Sequence, residues 1–322
     1  MALLTKERAR KIIDEIRVNN GGLTAEDRRN TPENVLQVLE NVLRQLGSST
    51  RALARDLYTS ESRFVYELIQ NAEDNSYSCA NNGDPYIRFT LTPEKIIVEN
   101  NELGFNEADV RSICKVGDST KINRIGFIGE KGIGFKSVFQ VAQKVRIQSS
   151  SFDFYFEHLP SGTGMGMITP VNEEEDPEFY EDGTRMTLKL LRPDDFSKRS
   201  TDLLGIPDAL ILFLPKLQRI EILIQRQNGD LSRTVHESHN DGQNSRLVKR
   251  VDDSVSEKFF HVERRKFQGL PSDDARTNRD RAEVVLAFPI TNDSRPIVEP
   301  QLTFSFLPIR KFGFKVCSMF FT

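Results

Sequence analysis

An α+β fold, with helices leading and sheet following, is what this 322-residue sequence predicts. Three observations predict it. Apolar residues recur at helical spacing between Lys6 and Asp74, period-two runs rich in β-branched and aromatic residues dominate from Tyr86 onward, and Gly129, Gly132 and Gly134 mark a turn into a further helical pattern. The length exceeds one small core and divides into a helical segment at 1–50, a central domain at 51–228 and a β-rich segment at 229–322.

Lys6 to Val18 sets Ile12, Ile13 and Ile16 among charges, an amphipathic helix closed by Asn19-Asn20-Gly21-Gly22. Thr31-Pro32-Glu33 starts a second helix, whose apolar face from Val35 to Leu46 stops at Gly47, and a separate helical pattern runs from Ser49 to Leu57. Thr59-Ser60-Glu61-Ser62 is a capping signal ahead of Phe64, Val65, Leu68 and Ile69. Tyr86 to Leu91 and Ile96 to Val98 form a hairpin, Glu107 to Cys114 is a short helix, and the passage on to Arg124 has no period and suits a movable lid.

Ser137 to Ala142 continues a helix off the glycines, and Val145 to Gln148, Phe152 to Glu157 and Thr184 to Leu190 alternate as strands. An apolar helical run from Asp202 to Leu217 precedes a strand at Ile220 to Ile224, and Ser232 to Asp253 reads as a polar stretch without apolar period. Further strands are expected at Phe259 to Phe267, Ala282 to Ile290 and Leu302 to Ile309.

With 44 Lys+Arg against 47 Asp+Glu the chain is close to neutral, so no long-range field recommends nucleic acid or an anionic membrane. Cys79, Cys114 and Cys317 are odd in number and lack CxxC pairing, which argues against a disulfide framework or a zinc site and fits a reduced intracellular compartment. His236 and His239 read as surface histidines in a polar loop, Cys114 as core, and Glu173 to Asp182 as a solvated acidic loop.

The informative stretch runs from Phe64 to Val138. Glu67 and Asn71 are four apart and share a helix face, with Asp74 one turn on, beside an apolar face of Phe64, Leu68 and Ala72. The hairpin's second strand delivers Asn100 and Glu102, ahead of Gly104. In Ile128-Gly129-Glu130-Lys131-Gly132-Ile133-Gly134-Phe135-Lys136-Ser137, glycines stand where a backbone can approach a phosphate ahead of a helix's first N–H groups. Alone, the first piece is a solvated helix face and the last a turn; in this order they describe a site for a nucleotide and its metal.

Together these three boxes resemble those of the GHKL ATPases. The wording of Asn101-Glu102-x-Gly104-Phe105, Val116-Gly117-Asp118-Ser119-Thr120-Lys121 and Ile128 to Phe139 is similar to the sacsin and NO VEIN branch, especially its large fungal relatives. The likeness implies a Bergerat-fold two-layer α/β sandwich: a mixed, mostly antiparallel sheet with helices on one face, and ATP held between sheet and lid. Leading helices and a β-rich C-terminal segment flank it.

By matching position, Glu67 is implied as the general base at the terminal phosphate, Asn71 as a ligand to Mg²⁺, and Asp74 as a group near ribose or the metal's water shell. Gly129, Gly132, Gly134 and Phe135 are implied to wrap the phosphates through backbone N–H groups, with Lys131 or Lys136 adding charge. Thr184 matches the threonine near adenine. Where most of the superfamily has an Asp that accepts from the adenine amine, Asn100 stands, and Glu102 takes the place of that box's first glycine. An amide oxygen there accepts without charge, so weaker affinity or altered base choice is expected.

The expected function is therefore an ATP-binding, slowly Mg²⁺-dependent ATP-hydrolysing conformational switch, chaperone-like, with protein partners or clients. The rival is a scaffold that holds nucleotide without hydrolysing it. A histidine-kinase role would need a phosphoacceptor His ahead of the boxes, and no His precedes His158.

Overall fold

The computed structural model describes residues 4–56, 61–77, 83–115, 134–158, 165–174, 180, 182–269, 281–305, 307–310 and 316–321. Four helices lead: α1 (Lys6–Asn19), α2 (Ala25–Asn30), α3 (Glu33–Asp56) and α4 (Arg63–Asp74). Thr5 caps α1 by accepting from Arg8 N, and Ala9, Ile12, Ile13 and Ile16 form its buried stripe. Thr24 and Asp27 make a reciprocal capping box on α2, a helix that the sequence reading missed for want of any buried residue.

Two helix expectations need correction. Gly47 does not end the second helix: α3 runs on to Asp56 and absorbs the separate pattern expected from Ser49. Gly47 and Thr50 are buried there, so tertiary packing offsets glycine's helix penalty of about 1 kcal/mol. At α4, Ser62 occupies the cap position but makes no side-chain cap bond, while Thr59 and Ser60 lie outside the described residues.

The strands are β1 (Tyr86–Leu91), β2 (Lys95–Asn100), β3 (Ala142–Ser149), β4 (Phe152–Glu157), β5 (Val171–Asn172), β6 (Thr184–Leu190), β7 (Arg219–Gln225), β8 (Leu231–Asp241), β9 (Asn244–Val251), β10 (Ser254–Gln268), β11 (Arg281–Ile290), β12 (Thr303–Ser305), β13 (Leu307–Arg310) and β14 (Cys317–Phe321). They join in one sheet, ordered β13-β12-β14-β11-β10-β9-β8-β7-β1-β2-β6-β3-β4-β5. Every pairing is antiparallel except β1 with β7 and β12 with β14, so the sheet is mixed and mostly antiparallel.

Alternation decides what each face meets. Phe89, Val98, Leu188, Ile147, Phe154 and Ile222 point into one apolar core shared with α1 and α4. α5 (Glu107–Ile113), capped by Asn106, packs on α1, and α6 (Phe196–Leu204) packs on β1 and β7. The opposite face carries paired charge: Arg185 and Arg88 flank Glu99, and Arg88 and Arg233 flank Glu221.

Three further expectations change. The helix expected off the glycines is a 3-10 helix, Gly134–Gln140, leading into β3. The run from Asp202 to Leu217 is the end of α6 followed by a 3-10 helix, Asp208–Phe213. The stretch from Ser232 to Asp253 is β8 and β9, not an aperiodic loop. His236 and His239 therefore sit on a strand, and His236 is buried with Nδ1 3.5 Å from Asp208; burial pushes its pKa down to about 4.

Candidate functional site

The site is assembled around α4. Its apolar side, with Phe64, Leu68 and Ala72, enters the core, which fixes the helix's rotation and leaves Glu67 and Asn71 partly exposed. Glu67 Oε1 lies 3.1 Å from Arg63 Nε, one turn back. Burial nevertheless raises the Glu67 pKa, with Arg63 opposing it, the direction that suits a carboxylate acting on water. Along the same helix, α4 packs against the 3-10 helix Gly134–Gln140, which carries the last residues of the third box.

The end of α4 meets the second box. Asp74 is buried in the last turn, and Leu103 N donates to Ser76 O at 2.9 Å, joining the segment after α4 to the turn after β2. Glu73, which the sequence reading passed over, is the anchor of this corner: its carboxylate accepts from Lys216 N at 3.0 and 3.2 Å and from Leu217 N at 2.9 Å. Burial pushes its pKa up to about 7 against those bonds.

Asn100, Asn101 and Glu102 are all buried. Asn101 braces the strand ends, accepting from Tyr86 N at 2.9 Å and donating to Asp84 O at 3.1 Å. Asn100 Oδ1 accepts from Glu102 N at 3.3 Å. The register sets Asn100 opposite Thr184, and Thr184 opposite Ser149, so three polar side chains line the core-facing end of β2, β6 and β3. Thr184 Oγ1 and Ser149 Oγ are 2.5 Å apart, and Ser149 Oγ also accepts from Phe105 N at 2.8 Å. No sequence signal singled out Ser149; only strand register could have found it.

Two glycines make these approaches possible. Gly104 has φ +84°, and a β-carbon there would lie 2.2 Å from Ser150 Oγ. At Gly183, with φ +132°, it would lie 2.2 Å from Asn100 O. Each position needs both the left-handed backbone and the missing side chain.

Lys136 points elsewhere than a surface phosphate. Its Nζ is buried and donates to Ile113 O at 2.5 Å and Met167 O at 2.7 Å, over the rings of Phe135 and Phe156. Asn20 Nδ2 makes the parallel bridge, to Cys114 O at 3.2 Å and Ile168 O at 2.7 Å. Gly129, Lys131 and Gly132, with the lid beyond Lys115, lie outside the described residues. Among the described residues no group of three or more His, Cys, Asp or Glu side chains could hold a metal ion.

Helices over one face of a mixed sheet, with polar residues gathered at one end, define an α/β sandwich, and comparison with known proteins gives it a GHKL-like relationship. Protein NO VEIN of Arabidopsis thaliana is 31% identical over 327 residues, matching 94% of this chain and 11% of that protein. Chaperone protein HtpG of Rickettsia massiliae is 28% identical over 180 residues, 47% of this chain and 28% of that protein. HtpG of Borrelia garinii subsp. bavariensis is 28% identical over 153 residues, 39% and 25% respectively. The chain thus spans about a tenth of the first relative and about a quarter of the others. No family model matches it. No helix among the described residues is long and apolar enough to cross a membrane.

Proposed function

We propose that this chain is a nucleotide-binding module of chaperone-like, ATPase type, of the sacsin and NO VEIN branch and its fungal relatives, acting inside the cell on protein partners. The observation that carries this is α4 itself. One helix packs against Gly134–Gln140 along its side and is hydrogen-bonded, just past its end, to the turn that follows Asn100. The first box is thereby joined to both of the others through one rigid element.

In this reading the nucleotide is a purine triphosphate, ATP by resemblance, with its base toward Asn100 and Thr184 and its phosphates toward Gly129, Gly132, Gly134 and Phe135. Lys131 supplies charge at the phosphates, while Lys136 holds the loop's exit by its two carbonyl bonds. Asn71 offers an amide oxygen to Mg²⁺, which when bound supplies charge neutralisation at the phosphates. Asp74 stands near the ribose or the metal's water shell, Glu102 beside Asn100 on the base side, and Glu67 orients water for a slow hydrolysis that resets the lid, Asn106 to Arg124.

Glu67→Ala is expected to keep nucleotide affinity within a few-fold and to lose turnover by about a hundredfold or more. Calorimetric titration beside single-turnover phosphate release tests this, and unchanged turnover dismisses Glu67 as the base. The scaffold reading is favoured instead if wild-type protein retains nucleotide and forms no diphosphate.

A further inference from the structure

The face of the sheet turned away from the helices handles its charges in two ways. Across β6, β2, β1 and β7 one row runs Arg185, Glu99, Arg88, Glu221, each cation set opposite an acid and paired with it. Toward the far end of β6 and β2 the alternation stops. Lys189 on β6 has Lys95 opposite it on β2 and Lys144 opposite it on β3, so this lysine is flanked by lysines on both neighbouring strands.

The lysines meet at close quarters. Leu190 N donates to Glu94 O at 2.9 Å, one residue outside the pair of Lys95 with Lys189. That makes it a non-hydrogen-bonded pair, whose side chains start roughly 5 Å apart, and like charges set opposite each other there work against folding. Lys144 is relieved of this: its Nζ lies 2.8 Å from Glu173 and over the Tyr155 ring, and Glu157 stands opposite it on β4. Lys95 and Lys189 are exposed, and no carboxylate among the described residues is in ion-pair range of either. Beside them Ile97 and Thr187, opposite each other and half-buried, form an uncharged floor.

We propose that Lys95 and Lys189, with the floor beside them, are a docking surface for an acidic segment of a partner protein, which sets carboxylates against the lysines and rests an apolar side chain on Ile97. Charge complementarity decides the occupant: carboxylates at this place supply the alternation that the rest of the face already has. Membranes and nucleic acids are held by many cations acting together. Here two unpaired lysines stand near the acids Glu94 and Glu157, on a chain whose net charge is -3. Lys95 and Lys189 point away from the core face that carries Asn100 and Thr184, and they sit toward the other end of β2 and β6. The surface therefore stands whether or not the nucleotide-site reading does.

The test is fluorescence anisotropy of a labelled oligoglutamate peptide, titrated with the intact chain at about 0.15 M salt, in wild type, in Lys189→Gln and in the double variant Lys95→Gln/Lys189→Gln. Wild type is expected to bind, K189Q about tenfold more weakly, and the double variant not measurably. Thermal midpoints are expected to hold or rise in both variants, because each loses a like-charge neighbour. A midpoint that falls together with the binding makes Lys189 a structural residue and overturns the proposal. Failure of wild type to bind the peptide, or equal binding by the double variant, overturns it as well. Single-stranded DNA and phosphatidylserine vesicles are titrated in parallel. If either binds more tightly than the peptide and is lost in the double variant, the face belongs to another class of partner and the acidic segment is ruled out.

Discussion

Burying an ammonium group costs free energy unless its charge is shared, and Lys136 shares its own with two main-chain carbonyls and two aromatic faces. Desolvation still dominates and brings its pKa down to about 8. A base held below its ordinary value carries fewer protons folded than unfolded, so its contribution makes the native state gain stability as pH rises from about 8 to the ordinary lysine range. The gain is at most roughly 3 kcal/mol. Denaturant titrations between pH 7.5 and 10 are expected to show this slope in wild type and a flatter one in Lys136→Met. Parallel slopes would mean that the ammonium is not desolvated. The same residue shows how far a motif reaches. Its place after the glycines was legible, but its partners, Ile113 O and Met167 O, come from segments 23 and 31 residues away.

At the scale of elements, the junction of β2 and β6 is the tightest feature of the site. Gly183→Ala combines an unfavourable backbone angle with a β-carbon 2.2 Å from Asn100 O, and so is expected to destabilise the protein by on the order of 3 kcal/mol. It should also displace Asn100 and weaken nucleotide binding more than an equally destabilising substitution far from the corner. Thermal denaturation and titration on the same samples check both, and a variant as stable as wild type would show that the two strands can part here at little cost. The strands of this region were legible because each alternates cleanly. Phe152–Glu157 and Thr184–Leu190 have the bounds expected of them, whereas β8 hid because the positions it buries include Thr234, His236 and Ser238. A buried polar residue erases the period-two signal without changing the backbone.

For the whole molecule, the decisive feature is that the sheet does not break between its two halves. β7 pairs with β8 from Arg219 opposite Glu237 to Gln225 opposite Leu231, and Asp208 binds Lys249 and Lys258 across the same join. Burial alone would raise the Asp208 pKa, but the bonds from Lys258 and Lys249 outweigh it and hold it below the usual range. Unfolding is therefore expected to be one transition, with far-ultraviolet dichroism and tyrosine fluorescence giving the same midpoint in denaturant. Two separated midpoints would show that strands beyond β7 form an independent unit.

The sequence by itself determined the α+β class, the helices α1 and α4, the hairpin that presents Asn100 and the order of three boxes, because each is a local pattern of period, cap or turn. Only the tertiary structure decided that Glu73 anchors α4 to the chain before β7, that Ser149 joins Thr184, that Lys136 turns inward and that Asn100 gives its oxygen to Glu102 N. Those are contacts between segments distant along the chain, or choices between two ends of one side chain. Register, burial and the competition for hydrogen bonds settle them, and none of these is written in the spacing of residues.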